Sequence, residues 1–198
     1  MRILFVCTGN TCRSPMAEGM LRKLARDRGV EVQVRSAGVA AMKGASISRH
    51  AEAVLRDRGI TDAFESTPLY AELTDWADLI LTLTQGHKRQ VIQTFPGTAD
   101  KIFTLKEYVE DDTAILANLE EFRRLAADRE LARALGSPWT AEQQRRLEEL
   151  HRRLPAYDIS DPFGGSRADY DRAAAEISAA LEKLIAKLKR GEGHESGI

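Results

Sequence analysis

A thiol and a guanidinium bracket one short stretch near the start of the chain. Five residues separate Cys7 from Arg13 in Cys7-Thr8-Gly9-Asn10-Thr11-Cys12-Arg13-Ser14-Pro15. Gly9 and Asn10 both tolerate positive φ, so the segment can curl until successive backbone N–H groups face inward as an anion nest. Arg13 can grip two phosphate oxygens at once. A helix starting next to it adds its positive end to the same spot. A thiol at the bottom of such a bowl lies in a field that favours thiolate, and the thiolate is the nucleophile. Ser14 is placed to donate its hydroxyl to it. A single cysteine is usually a packing residue; a thiol at a strand end, a permissive loop, an arginine and a Ser-Pro helix start together point to phosphoryl chemistry.

The flanking elements must hold that loop. Ile3-Leu4-Phe5-Val6 is a short apolar run and reads as a buried strand. Ser14 reads as the N-cap and Pro15 as the first residue of a helix carrying Met16, Met20, Leu21 and Leu24. Val30–Val34 alternates as a strand that Ser36-Ala37-Gly38 ends. Ser48 caps a helix that stops before Gly59. Leu73–Ala77 forms a short helix, Leu79–Leu83 a third strand, His87–Thr94 a helix, and Lys101–Leu105 a fourth strand. Strands alternating with helices argue for an α/β fold with a four-stranded parallel sheet covered on both faces, and such sheets bind ligands at the carboxyl ends of their strands. A final helix runs from about Arg167 to Lys189, and residues 191–198 are expected to fray.

The second half of the chemistry needs an acid for the leaving group. Asp161-Pro162 supplies a carboxyl on a stiff loop, because proline fixes its own φ and pushes the preceding residue toward extended geometry. Asp158 is the nearby rival. The histidines at 50, 87, 151 and 194 show no ligand spacing and read as surface or packing residues.

The nonapeptide Cys7–Pro15, with its C-x5-R spacing close to the N-terminus, resembles the low-molecular-weight protein tyrosine phosphatase family. The resemblance covers roughly residues 1–112 and 156–188. It implies a flavodoxin-like (phosphotyrosine phosphatase I-like) fold and a cysteinyl-phosphate mechanism with no metal and no cofactor. It makes Cys7, Arg13 and Asp161 catalytic, Asp161 matching the family's D-P general acid. Thr8, Gly9, Asn10, Thr11, Cys12 and Ser14 then form the phosphate-binding loop, with Asn10 propping it. Residues 113–155 have no counterpart in that pattern. They are rich in Glu, Arg, Ala and Leu with a Gly136-Ser137-Pro138 break, and read as a helical insertion of two surface helices within one domain spanning 1–190.

Two positions bear on substrate. Thr11 stands where tyrosine-specific members commonly carry a bulkier aliphatic residue, and Gly164-Gly165 follows Phe163 where many carry aromatics. Both departures resemble the bacterial protein-arginine phosphatase branch. A carboxylate such as Asp161 can fork a guanidinium, and Phe163 can stack on its plane. The favoured expectation is a protein-arginine phosphatase, with a protein-tyrosine phosphatase as the alternative. An arsenate reductase is disfavoured because the thioredoxin-linked kind needs cysteines outside the loop, and Cys7 and Cys12 are the chain's two. Cys12 is either a resolving thiol for an oxidised Cys7 or a small packing residue. A formal net charge of −1 over 198 residues gives no sign of nucleic-acid or membrane attraction, and no apolar run is long enough to span a bilayer. The expected partner is a phosphorylated protein, in the cytoplasm.

Overall fold

The computed structural model describes residues 1–191 of the chain. The expected tail beyond Gly191, with His194, lies outside the described residues. Two compact units are present, residues 1–109 with 157 onward, and residues 110–156.

The first unit is built on β1 (Arg2–Cys7), whose residues from Ile3 to Cys7 are all buried. It lies between β2 (Gln33–Gly38) and β3 (Leu79–Thr82), and β3 in turn pairs with β4 (Ile102–Thr104). All pairings are parallel, and the strand order is β2-β1-β3-β4. Side chains alternate across a strand, so β1 feeds two cores. Ile3 and Phe5 join the apolar side chains of α1 (Arg13–Arg28), α2 (Arg49–Asp57) and α8 (Arg167–Lys189). Leu4 and Val6 join Leu73 and Val91 from α3 (Ala71–Trp76) and α4 (Gln85–Thr94). A strand buried on both faces needs a continuous apolar run, which is what Ile3–Val6 supplies.

Some boundaries differ from the sequence reading. Val30 does not open β2, because its N–H is spent on the carbonyl of Ala25 in the turn that closes α1 at Gly29. Pairing with β1 begins at Gln33 and runs through Ser36, Ala37 and Gly38, residues expected to end the strand. At β4, Thr104 caps α5 (Leu105–Tyr108) in a reciprocal bond with Glu107, so Leu105 leaves the strand and turns helical. Ser48 caps α2 as expected, accepting from the backbone of His50.

The second unit is a pair of helices, α6 (Thr113–Leu135) and α7 (Ala141–Arg153). Asp112 caps α6, Gly136 ends it in the left-handed region, and Thr140 with Gln143 forms a capping box on α7. Arg146 grips both carboxylate oxygens of Glu121 at 2.8 and 2.6 Å, and His151 stacks near Phe122. Among the described residues no helix is long and apolar enough to cross a membrane.

Candidate active site

Cys7 ends β1, and the chain then turns through Thr8–Cys12 into α1. Asn10 is the one described non-glycine residue with positive φ, at 53°, and it is fully buried. Its amide is used completely. The Nδ2 group donates to Ser14 Oγ and to Ser36 Oγ, both at 2.8 Å, while Oδ1 accepts from the backbone of Thr67 at 2.8 Å. The N–H of Thr67 fixes which end of the amide is oxygen. Other bonds secure the loop from outside. Gly9 O accepts from Ser66 Oγ, Thr8 O from the N–H of Ala40, and Thr11 O from the N–H of Ser48. Gly38 closes the back, since a Cβ there would lie 2.5 Å from Thr8 O and 2.8 Å from the nitrogen of Asn10.

The thiol of Cys7 is buried, and its Sγ lies 3.0 Å from Ser14 Oγ. Asn10 already donates into that oxygen, which leaves the Ser14 hydroxyl hydrogen two acceptors, the sulfur at 3.0 Å and Ala37 O at 3.4 Å, and the sulfur is the nearer. Ser14 is therefore not the N-cap. The helix starts two residues earlier than expected, at Arg13, and Cys12 is the cap, its carbonyl accepting from Met16. Pro15 is harmless at the third helical position because the N–H groups of the first turn have no intrahelical partner in any case. The network continues behind the loop. Ser36 Oγ donates to Glu18 Oε2 at 2.5 Å, and Glu18 is paired with Arg22. Burial pushes the Glu18 carboxyl up, against the opposing pull of the Ser36 hydroxyl and Arg22.

Arg13 is 5% exposed. Its Nη1 donates to Ile159 O at 3.4 Å, its Nη2 meets Asp161 Oδ2 at 3.0 Å, and its Nε has no partner among the described residues. A buried guanidinium N–H left unpaired is costly unless an acceptor arrives. Arg13 stands at the end of the Thr8–Cys12 loop, where an oxyanion would satisfy that N–H.

Asp161 reaches the site from a loop pinned at several points. Ile159 N donates to Leu83 O, at the end of β3. Asp158 Oδ1 accepts from the N–H of Gln85 at 2.7 Å, which spends Asp158 on the start of α4 and leaves Asp161 as the carboxylate beside Arg13. Lys106 holds both Asp158 O and Glu176, and Glu176 holds Ser160. Pro162 is buried, and Asp161 Oδ1 accepts from Phe163 N. Phe163 itself is 79% exposed.

Thr11 Oγ1 lies 3.4 Å from where a Cβ on Gly9 would sit, so its hydroxyl faces the loop. It is 3.6 Å from Cys12 Sγ, which has Tyr170 Oη at 3.2 Å on its other side. Burial first, then the bond to Cys12, pushes the Tyr170 hydroxyl up.

His87, which reads from the sequence as a surface or packing residue, is buried and also bonded to the loop. Its Nε2 is 2.8 Å from Thr8 Oγ1, in the loop, and its Nδ1 is 2.9 Å from Thr84 Oγ1. Burial, then the charge of Arg13, lowers its pKa to about 4. The sequence signal was Thr84 three residues before it. That is a cap at the carboxyl end of β3, which forces the following helix to start beside the loop.

The model of the family described as low molecular weight phosphotyrosine protein phosphatase matches residues 2–124. Proteins named protein-arginine-phosphatase from Geobacillus stearothermophilus and Bacillus subtilis are 36% and 34% identical. The matches span 95% and 96% of this chain and 96% and 98% of those proteins. A solved structure titled YwlE arginine phosphatase, a cysteine-to-serine mutant with a phosphorylated active-site serine, is 35% identical with a TM-score of 0.70. The match covers 96% of each chain.

Proposed function

The chain belongs to the low molecular weight phosphotyrosine protein phosphatase family, and we propose that within it the protein hydrolyses phosphoarginine side chains of proteins through a cysteinyl-phosphate intermediate. The observation that carries the reaction is the convergence of three groups. A buried thiol bonds Ser14, a buried guanidinium has a free N–H, and an exposed carboxylate sits 3.0 Å from that guanidinium.

In this reading the loop amides and Arg13 hold the phosphoryl group in line with Cys7 and stabilise its equatorial oxygens as charge shifts. Ser14 donates a hydrogen bond to the sulfur. The Cys7 thiolate attacks phosphorus, the bond from phosphorus to the leaving nitrogen breaks, and Asp161 gives that nitrogen its proton. A water molecule then attacks the cysteinyl phosphate while Asp161, now a carboxylate, takes the water's proton. Inorganic phosphate and the Cys7 thiolate leave the second step. Phe163 receives the substrate's guanidinium by stacking, and Asp161, once it has given up its proton, holds the freed guanidinium by a forked hydrogen bond. The Thr11 hydroxyl, facing the loop, favours this slim and polar substrate over a phenyl ring. Cys12 serves as resolving thiol. After peroxide oxidises Cys7 to its sulfenic acid, the Cys12 thiol attacks that sulfur, an S–S bond forms and water leaves. Two free thiols suit a reducing compartment such as the cytoplasm.

The test is kcat/KM on matched phosphoarginine and phosphotyrosine peptides, for the wild type and for Thr11→Ile. The expected outcome is a phosphoarginine preference that collapses or inverts in the mutant. A phosphotyrosine preference that the mutation does not change would reject both the substrate and the role of Thr11.

A further inference from the structure

His87 is tied at both ring nitrogens, and the pattern favours the tautomer that carries its proton on Nε2. Thr84 Oγ1 accepts the backbone N–H of His87 at 3.2 Å, so the hydroxyl hydrogen of Thr84 is free to point at Nδ1, 2.9 Å away. With Nδ1 accepting, the ring proton sits on Nε2 and is donated to Thr8 Oγ1 at 2.8 Å. That donation occupies the Thr8 oxygen and turns the Thr8 hydroxyl hydrogen away from His87. Thr8 is exposed and is the first residue after the nucleophile.

We infer that His87 is a positioning residue for phosphoryl transfer: through Thr8 it locks the first turn of the phosphate loop and presents the Thr8 hydroxyl hydrogen to the phosphoryl group. This rests on the phosphatase reading above and adds a donor to it. Neutrality of the ring is part of the device. Arg13 from α1 and Asp161 and Asp158 from the neighbouring loop are the charged groups that act on the ring, and burial with Arg13 outweighs the two carboxylates. A neutral imidazole orders Thr8 without adding a second cation to compete with Arg13 for Asp161.

The experiment uses p-nitrophenyl phosphate as substrate and inorganic phosphate as inhibitor, with wild type, His87→Gln, His87→Asn, Thr8→Val and the Thr8→Val/His87→Asn double variant. A glutamine amide can place an N–H where Nε2 was, whereas asparagine reaches only the Nδ1 position. The expected result is a fall in kcat/KM of about tenfold, the scale of one oriented hydrogen bond, for His87→Asn and for Thr8→Val. Phosphate inhibition weakens in parallel. The double variant is no worse than either single one, and His87→Gln stays near wild type. Additive losses in the double variant, a His87→Gln as damaged as His87→Asn, or an unimpaired Thr8→Val would overturn the inference. Thr8→Val alters an exposed side chain and leaves α4 intact, so it carries the test even if the His87 variants fold poorly. Absence of turnover by the wild type would instead reject the phosphatase reading itself.

Discussion

A single methyl group at position 38 separates the loop's architecture from its chemistry. A Cβ on Gly38 would collide with backbone atoms of Thr8 and Asn10, and backbone cannot swing aside as the end of a long side chain can. The loop would have to shift bodily, and a displacement approaching 1 Å costs about 10²-fold in rate. Gly38→Ala is therefore expected to lower kcat/KM by that order while leaving the fold in place. Gly59→Ala is the control. At φ +72 with nothing within 4 Å, it should cost stability of about 1 kcal/mol and no activity. Equal activity in the two variants would show that the loop tolerates the shift. Cys7, Asn10, Arg13, Ser14 and Asp161 were legible in the sequence because each belongs to a local motif whose chemistry shows in the residue types. Gly38, Ser36 and Glu18 were not. Gly38 and Ser36 act on the loop from β2 and Glu18 holds Ser36 from α1, and nothing in their own neighbourhood marks the contact.

At the scale of elements, what matters is where α4 begins. Thr84 caps it, Asp158 binds its first N–H, and His87 in its first turn reaches the loop. Burying a neutral histidine couples folding to pH with a definite sign. The ring's pKa is about 4 in the folded chain against 6.5 as a reference, so between those values the unfolded chain binds the extra proton. The contribution of a neutral His87 is complete above pH 6.5 and is lost as the pH falls toward 4. Glu18, whose carboxyl is pushed up by burial, works in the opposite direction above its reference of 4.5. The comparison must therefore be a difference. The gap in urea midpoint between wild type and His87→Gln should move against the wild type as pH is lowered from 7 to 4. A gap that does not change with pH would mean the ring titrates equally in both states. Elements were legible to different degrees for a related reason. β1, β3, α2 and α8 carry their own periodicity and caps. The start of β2 is set by the turn that closes α1 and by its partner strand, which a reading of Val30–Val34 alone does not contain.

For the molecule as a whole, the question is which part of the chain turnover needs. The nucleophile loop and the acid loop lie far apart in sequence, with Arg13 and Asp161 separated by 148 positions. Residues 110–156, a compact unit of their own, fall between them. Yet the bonds described above that fix the acid loop land in the first unit, on Arg13, Leu83, Gln85, Lys106 or Glu176. The two apolar cores beside the sheet likewise contain, among the described residues, no side chain from 110–156. The composition of that stretch announced helices but not whether catalysis depends on them, because a charged helix pair reads the same in either case. Replacing residues 110–156 with a short Gly-Ser linker should thus leave kcat/KM for p-nitrophenyl phosphate within about twofold of wild type, as for changes that share no partners with the site. The measurement discriminates sharply because the substrate is small. A tenfold loss on it would mean that the helical unit contributes to the chemistry or to the placement of Asp161. An intact rate on the aryl phosphate with a loss on phosphoprotein would instead assign the unit to recognition of the protein that carries the phosphoryl group.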